Sequence, residues 1–344
     1  MAYTTIDKPS EHFSTTLYVG TGSYPRSVTG IGFQPDFVWL KNRDVAYWHQ
    51  LYDAVRGTGT GGGVIYSNSA AGNDDTYKLN SFDSDGFTLP SSLGAVNDSG
   101  EDIVAWCWKG ANGTASNTAG DITSTVSANP TAGISIVTAT STATSGNTAI
   151  GHGLGKTPDV VFARNLDRGF NWDVWFRTLG YNSSLIFNST ATGRTGFGSG
   201  TNDSNVFSAL WNYSAYNGEK YVYFCFTSIK GFSKISEYTG NGDADGPFIY
   251  TGFKPAMVIT KRSDSTSDWR IWDHKRDPHN VVDRILYPSA ANAEGAETFG
   301  DFCSNGFKIR VTTTDYNASG GTYQYLAFAE NPFVTSTGVP VPAR

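Results

Sequence analysis

The sequence predicts an all-β protein made of three tandem antiparallel β-sandwich domains of the jelly-roll or lectin-like kind. Three observations carry this. The first is composition: of 344 residues, 39% are hydrophobic and only 16% charged, with 39 Gly, 21 Phe, 18 Tyr, 9 Trp and 2 Met. Ordinary domains have about 25% charged residues, and helices favour Ala, Leu, Glu and Lys over aromatic and β-branched residues. The second is a phrase that occurs three times. The third is punctuation: short apolar runs are separated by Gly-, Ser-, Thr- and Asn-rich breaks such as Thr58-Gly-Thr-Gly-Gly-Gly63, and no long stretch has a 3.6-residue apolar stripe. The apolar content is enough to exclude bulk disorder. A net charge of −6 gives no basic face for neutralising phosphates, so nucleic acid is not an expected partner.

The phrase is G-x-x-P-x-x-V-x-x-[KR]. It reads Gly32-Phe-Gln-Pro-Asp-Phe-Val-Trp-Leu-Lys41, then Gly155-Lys-Thr-Pro-Asp-Val-Val-Phe-Ala-Arg164, then Gly252-Phe-Lys-Pro-Ala-Met-Val-Ile-Thr-Lys261. Each copy predicts a strand with proline at its entrance, where the missing N–H does no harm. Asp44, Asp167 and Asp264 follow the basic residue at the same distance. A structural turn or an ion pair explains an acid in that position better than catalysis does. A second strand follows with the tryptophans: Trp48 and Tyr52, Trp172 and Trp175, Trp269 and Trp272. Tryptophans three apart on a strand face opposite sides, so one of each pair is expected in the core and the other exposed or at an interface. Each copy then closes on an aromatic strand: Gly100 to Trp108, Gly218 to Phe226 and, more loosely, Gly321 to Ala329. Ahead of it, Phe82-Asp-Ser-Asp-Gly-Phe-Thr-Leu89 parallels Phe302-Cys-Ser-Asn-Gly-Phe-Lys-Ile309, and the second copy shows no good match. The shared prolines at 35, 158 and 255 are too far apart for solenoid units of about 20–50 residues and suit whole small domains.

The expected organisation is therefore an anchor segment over 1–16, a first sandwich over 17–110, a loose linker over 111–133, sandwiches over 134–232 and 233–333, and a tail over 334–344. The linker rests on its run of Ala, Asn, Gly, Thr, Ser and Asp. The second and third copies, joined without such a run, are expected to pack tightly.

Motifs for chemistry are weak. His274 and His279 stand near Asp273, Asp277 and Asp283 without the spacing of a helical zinc motif, and read as a polar turn. Asp83-Ser-Asp-Gly86 and Asp243-Ala-Asp-Gly246 resemble the start of a calcium loop but lack its closing glutamate, so hairpin turns explain them. There is no G-x-S-x-G. A glycosidase carboxylate pair is conceivable among the many Asp. No catalytic residue, metal or cofactor is assigned. The candidate ligand-binding residues are Trp48, Tyr52, Trp172, Trp175, Trp269 and Trp272, whose rings could stack on sugars. The competing reading places them in the cores. The cysteines, Cys107, Cys225 and Cys303, are odd in number and widely spaced, which argues against a disulfide framework. Cys107 and Cys225 lie in matching aromatic runs and read as small buried hydrophobes.

Neither a signal-peptide run nor a stretch of about 18 apolar residues is present, so no export signal and no membrane insertion are expected. The opening Met1-Ala-Tyr-Thr-Thr-Ile-Asp-Lys-Pro-Ser10, the phrase Gly32–Lys41, Tyr238-Thr-Gly-Asn-Gly242, Phe253-Lys-Pro-Ala256 and the ending Phe328-Ala-Glu-Asn-Pro-Phe-Val-Thr-Ser-Thr-Gly338 resemble a family of tandem-repeat, virion-associated proteins of bacteriophages infecting marine bacteria, including podoviruses of pelagic hosts. The resemblance implies a structural protein on the virion exterior, made in the host cytoplasm without a signal peptide. It carries no catalytic residues. The expected role is a non-enzymatic tail fibre or receptor-binding appendage, assembled as a homo-oligomer with other virion proteins and contacting a host surface glycan or receptor. The alternatives are a capsid-exterior decoration or knob protein, a surface-glycan depolymerase and a stand-alone glycan-binding module.

Overall fold

Phe37-Val-Trp-Leu-Lys-Asn42 has no apolar–polar alternation, and all six residues are buried. A strand reads this way when both of its faces are covered. The computed structural model, which describes residues 3–90, 94–142, 148–195, 200, 202–208 and 217–341, shows what covers them. Six sheets form among the described residues, and every ladder is antiparallel. Among the described residues helix is limited to short turns, the only α-helical one being Thr314–Asn317.

Three of the sheets share one strand order. In the first, Phe13–Val19, Asp102–Trp108, Phe37–Asn42, Gln50–Asp53 and Ile65–Tyr66 lie side by side. The second begins its equivalent part with Ile134–Thr140, Lys220–Phe226, Val160–Asn165, Asp173–Phe176 and Ser183–Ile186, and the third runs Ser233–Thr239, Thr322–Pro332, Phe253–Arg262 and Arg270–Asp273. The registers also agree. Phe37 lies between Trp108 and Asp53, Val160 between Phe226 and Phe176, and Met257 between Phe328 and Asp273.

One face of each sheet packs on a second sheet nearby in sequence. Val38, Leu40, Ala105 and Cys107 meet Val28, Phe87 and Leu89 in the first. Val161, Tyr223 and Cys225 meet Ile150 and Phe207 in the second, and Val258, Trp272 and Tyr325 meet Ile249, Phe299 and Phe307 in the third. The opposite faces of all three sheets converge on a single shared core that holds Phe37, Trp39, Trp106 and Trp108 with Phe162, Trp172, Phe224 and Phe226 and with Ile259, Trp269, Leu326 and Phe328. At its centre the equivalent residues Trp108, Phe226 and Phe328 form a triangle, with ring centroids 6.1, 5.7 and 5.6 Å apart. A void of about 20 Å³ with only apolar lining lies among these rings. Such a space stays dry, because a water there would find no polar partner.

Several expectations change. Residues 111–133 are not a loose linker: Ala115–Asn117 and Ser124–Asn129 pair as two further strands on the second sheet. Segment 3–16 is not a free anchor. Ile6 and Phe13 belong to the shared core, and the strand Phe13–Val19 crosses the expected boundary at 16. The tail turns back, with Val334 bridged to Pro340 and Ser336 bonded to the Asp7 carboxylate; its last residues lie outside those described. In the third copy the equivalence of the closing strand starts at Gly320, not Gly321. Gly100, Gly218 and Gly320 all have positive φ (87°, 90° and 73°), which suits glycine at the turn feeding each closing strand. A one-residue slip there would turn every side chain to the wrong face.

The second copy keeps the ladder on which the Phe82–Leu89 and Phe302–Ile309 hairpins pair in the other copies, although among the described residues only one strand of the hairpin, Val206–Ser208, forms there. Phe207 pairs with Ile150 as Phe87 pairs with Val28 and Phe307 with Ile249. Val206 occupies the place of Gly86 and Gly306, and the glycine of that pair is on the partner strand, as Gly151.

The shared core makes the units interdependent. Residues 233–333 expressed alone would expose Met257, Ile259, Trp269, Ile271, Leu326 and Phe328. That fragment is expected to aggregate or bind a hydrophobic dye, whereas the full chain unfolds in one cooperative transition. Size-exclusion chromatography, dye fluorescence and denaturant titration check this.

Candidate functional site

The six predicted ring residues separate by face. Tyr52, Trp175 and Trp272 hold one register position, opposite Val38, Val161 and Val258, and fill the core of their own sheet pair. Trp172 and Trp269 point the other way into the shared core, and both are fully buried. The opposite-face expectation holds, but neither face is open. These five rings are at most 2% exposed, so they offer no surface for stacking on a sugar. Trp48 alone is open, at 48% exposure, with its ring 4.9 Å from that of Tyr66 in an edge contact.

By register, the position of Trp172 and Trp269 is taken in the first copy by His49, not Trp48. His49 is fully buried and its Nδ1 accepts a 2.9 Å hydrogen bond from Trp39 Nε1. Phe162 and Ile259, which replace Trp39 in the other copies, have no such donor to satisfy. Burial first, then the charge on Lys41, hold His49 well below the ordinary histidine range, against the pull of the Tyr287 backbone.

Polar side chains join the three units into a ring, two of the junctions using the recurring basic residue and the third not. The second unit reaches the first through Trp172 Nε1 to the Tyr66 carbonyl (2.8 Å) and through the Arg164 guanidinium to the Ala70 and Ala71 carbonyls. The third reaches the second through Trp269 Nε1 to the Ile186 carbonyl (2.9 Å) and Lys261 Nζ to the Thr190 carbonyl (3.1 Å). The first closes on the third: Arg43 makes a bidentate pair with Glu294 (2.7 and 2.9 Å), and Trp106 Nε1 donates to Asp273 (3.1 Å). Lys41 donates to the Asn42 and Val45 carbonyls. Burial pushes Lys41 down to about 7, against the opposing charge of Glu294, and pushes Lys261 down to about 8.

The recurring aspartates are structural. Asp44 Oδ2 accepts the Asp102 amide and Asp167 Oδ2 the Lys220 amide, both at 2.6 Å, so each holds the start of a closing strand. Asp264 accepts from Arg262 Nε at 2.7 Å and from the Thr322 backbone. The calcium-like Asp85 accepts the Gly30 and Gly32 amides, and Asp245 pairs with Lys308 at 2.8 Å. His274 Nε2 meets Glu330 at 3.0 Å. Among the described residues no group of three or more His, Cys, Asp and Glu is arranged to hold a metal ion. Cys107 and Cys225 are buried and unbridged, and burial raises both thiols far above their ordinary range.

Open space lies at the junctions between units. A polar groove of about 600 Å³ separates Arg56, Asn73 and Asp75 of the first unit from Thr125, Thr138 and Lys220 of the second. A groove of similar size runs between Ser14 and Thr16 of the first unit and His274 and Glu330 of the third. The sequence offered no signal for either, because their walls come from segments far apart in the chain.

Two predictions follow from the buried bases. Between pH 7 and 10 the unfolded chain holds a proton on Lys41 that the folded chain releases, so this residue's contribution to stability rises with pH across that window. The denaturation midpoint of the wild type relative to Lys41→Met should therefore climb from pH 7 to 10. His49→Phe leaves the Trp39 indole N–H unpaired and should cost about 1–3 kcal/mol at neutral pH. Because the His49 pKa is lowered by folding, the wild type loses this residue's contribution as pH falls below about 6.5, and the gap to the variant should narrow in acid. Denaturant unfolding across pH checks both.

No curated protein matches the chain, and no solved structure does. One family matches residues 8–332, and its description is a domain of unknown function (DUF7483). The match takes in all three units and the ring they close, so the chain belongs to this DUF7483 family.

Proposed function

We propose that this chain is a non-enzymatic structural protein of a bacteriophage virion, exposed on the particle exterior, made of three tandem copies of one jelly-roll-like sandwich and used as a receptor-binding appendage. The phage assignment rests on the resemblance of the phrases quoted above. The observation that favours architecture over turnover is the use made of the repeated polar residues. Lys41, Arg164 and Lys261 bind backbone carbonyls, and Asp44, Asp167 and Asp264 bind backbone amides, so the residues kept through all three copies are occupied in holding the fold. Linked units of this kind multiply weak contacts into avidity.

One observation favours the capsid-exterior decoration reading as the second choice. The three units close on one another around a common core and do not extend along a fibre axis.

Particles purified from a phage that encodes the chain should contain it in fixed stoichiometry, and a reconstruction should show it as three-lobed density on the exterior, at the tail for an appendage or on the shell for a decoration. Its absence from purified particles removes the virion reading. The purified protein should release no reducing ends from host surface polysaccharide; release would make it a depolymerase.

A further inference from the structure

We propose that the groove between the first and second units is a binding site for a neutral, hydroxyl-rich glycan. The inference deepens the attachment reading, which gives it its biological sense, but its evidence lies in the floor of the groove. The strand Ser124–Asn129 directs alternate residues toward the first unit. Two of them, Asn129 and Ser127, make the junction: Asn129 Nδ2 donates to the Lys109 carbonyl (3.1 Å) and Ser127 Oγ to Asp36 Oδ1 (3.0 Å). Further along the same face come Thr125 and then Thr123, both exposed. The neighbouring strand behaves alike. Ile134 and Ile136 enter the shared core, and Thr138 and Thr140 continue beyond it into the groove. Thr125 and Thr138 are direct cross-strand partners. The junction and the core thus use up one end of each strand and leave a patch of threonine hydroxyls that form no hydrogen bond among the described residues.

The second observation is how this floor arises. Ala115–Asn117 and Ser124–Asn129 extend the second sheet, and the corresponding sheets of the first and third units have no such strands. The extension is not needed for the sandwich pattern common to the copies, and what it adds to the surface is half of the groove floor.

The opposite wall is rigid. Arg56 donates to Asp53 (2.5 Å), the Gly63 carbonyl (2.7 Å) and Asn73 (2.9 Å), and Asp75 accepts the Gly61 and Gly63 amides. Arg56 is paired with Asp53 and Asp75 with Lys78 (3.9 Å), and the facing side carries one charge of each sign, Lys220 and Asp167, so no single-sign field calls for an ionic ligand. A threonine hydroxyl both donates and accepts, and its β-branched side chain is stiff at χ1. A row of them on a pleated sheet is a preorganised partner for sugar hydroxyls. A volume of about 600 Å³ falls in the usual range for small-ligand sites.

The test titrates maltohexaose, laminarihexaose, cellohexaose and a sulfated heparin hexasaccharide into the full chain by calorimetry. At least one neutral hexasaccharide should bind. The double variant Thr125→Val/Thr138→Val keeps the shape and loses two hydroxyls, and should bind it about tenfold more weakly or worse, with an unchanged circular dichroism spectrum and thermal midpoint. Trp48→Ala should bind as the wild type does. The proposal is overturned if no neutral glycan binds, if the sulfated one is preferred, or if affinity survives the double variant. Lost binding by Trp48→Ala alone would also overturn it, moving the site to the exposed indole. A chain found on particles that binds no glycan sinks this inference only; glycan binding by a chain absent from particles sinks only the virion reading.

Discussion

Three aromatic rings meet at the centre of the molecule, and the rest of the structure depends on that contact. Trp108, Phe226 and Phe328 occupy the same position in three sheets of the same strand order, and each lies within about 6 Å of the other two. For this to happen, each sheet must be covered on both faces: by its companion sheet on one side and by two other units on the other. The continuous apolar runs, the buried tryptophans and the low charge content all follow from that double coverage. A sandwich standing alone would show water one outer face and would need polar residues where this chain has Phe37, Trp39 and Trp106.

A core shared three ways leaves a rim where the sheets diverge, and the polar residues of the repeated phrase serve that rim. Buried cations reach the backbone carbonyls of the loop in the next unit or of their own turn. The three junctions use different chemistry: an arginine fork on carbonyls, a lysine on a carbonyl, and an arginine–glutamate pair. At two junctions the recurring cation satisfies buried backbone carbonyls of the neighbouring unit, which are expensive to leave unpaired, and at the third Lys41 serves its own turn while the Arg43–Glu294 pair closes the ring. Surfaces that differ between copies are then where recognition is to be sought. The added strands of the second unit are the largest such difference.

The copies diverged by exchanging roles between touching residues. The bulky indole of the inner layer is on the Gln50–Asp53 side in two copies and moves to Trp39 in the first, where His49 both makes room for it and accepts its N–H. The glycine of one cross-strand pair sits on one strand in the first and third copies and on the opposite strand, as Gly151, in the second. Packing constrains the sum of two volumes and the presence of one acceptor, not the identity of either residue. Comparison of single positions therefore missed both equivalences and misaligned Trp48 with the buried tryptophans.

The sequence by itself determined the all-β class, the threefold recurrence of the central strand, the aspartate turns and the buried cysteines. These are local matters: strand propensity, turn chemistry and the alternation of faces act within a few residues. It also determined that tryptophans three apart would face opposite ways. Only the tertiary structure decided that both faces would be buried, that 3–16 and 111–133 would join the body, and that the open space would lie at the junctions. Those outcomes depend on which sheet faces cover one another. Apolar surface is non-directional in its preference, so an uncovered face reads the same in sequence whether it ends against a sugar, a partner or another part of its own chain.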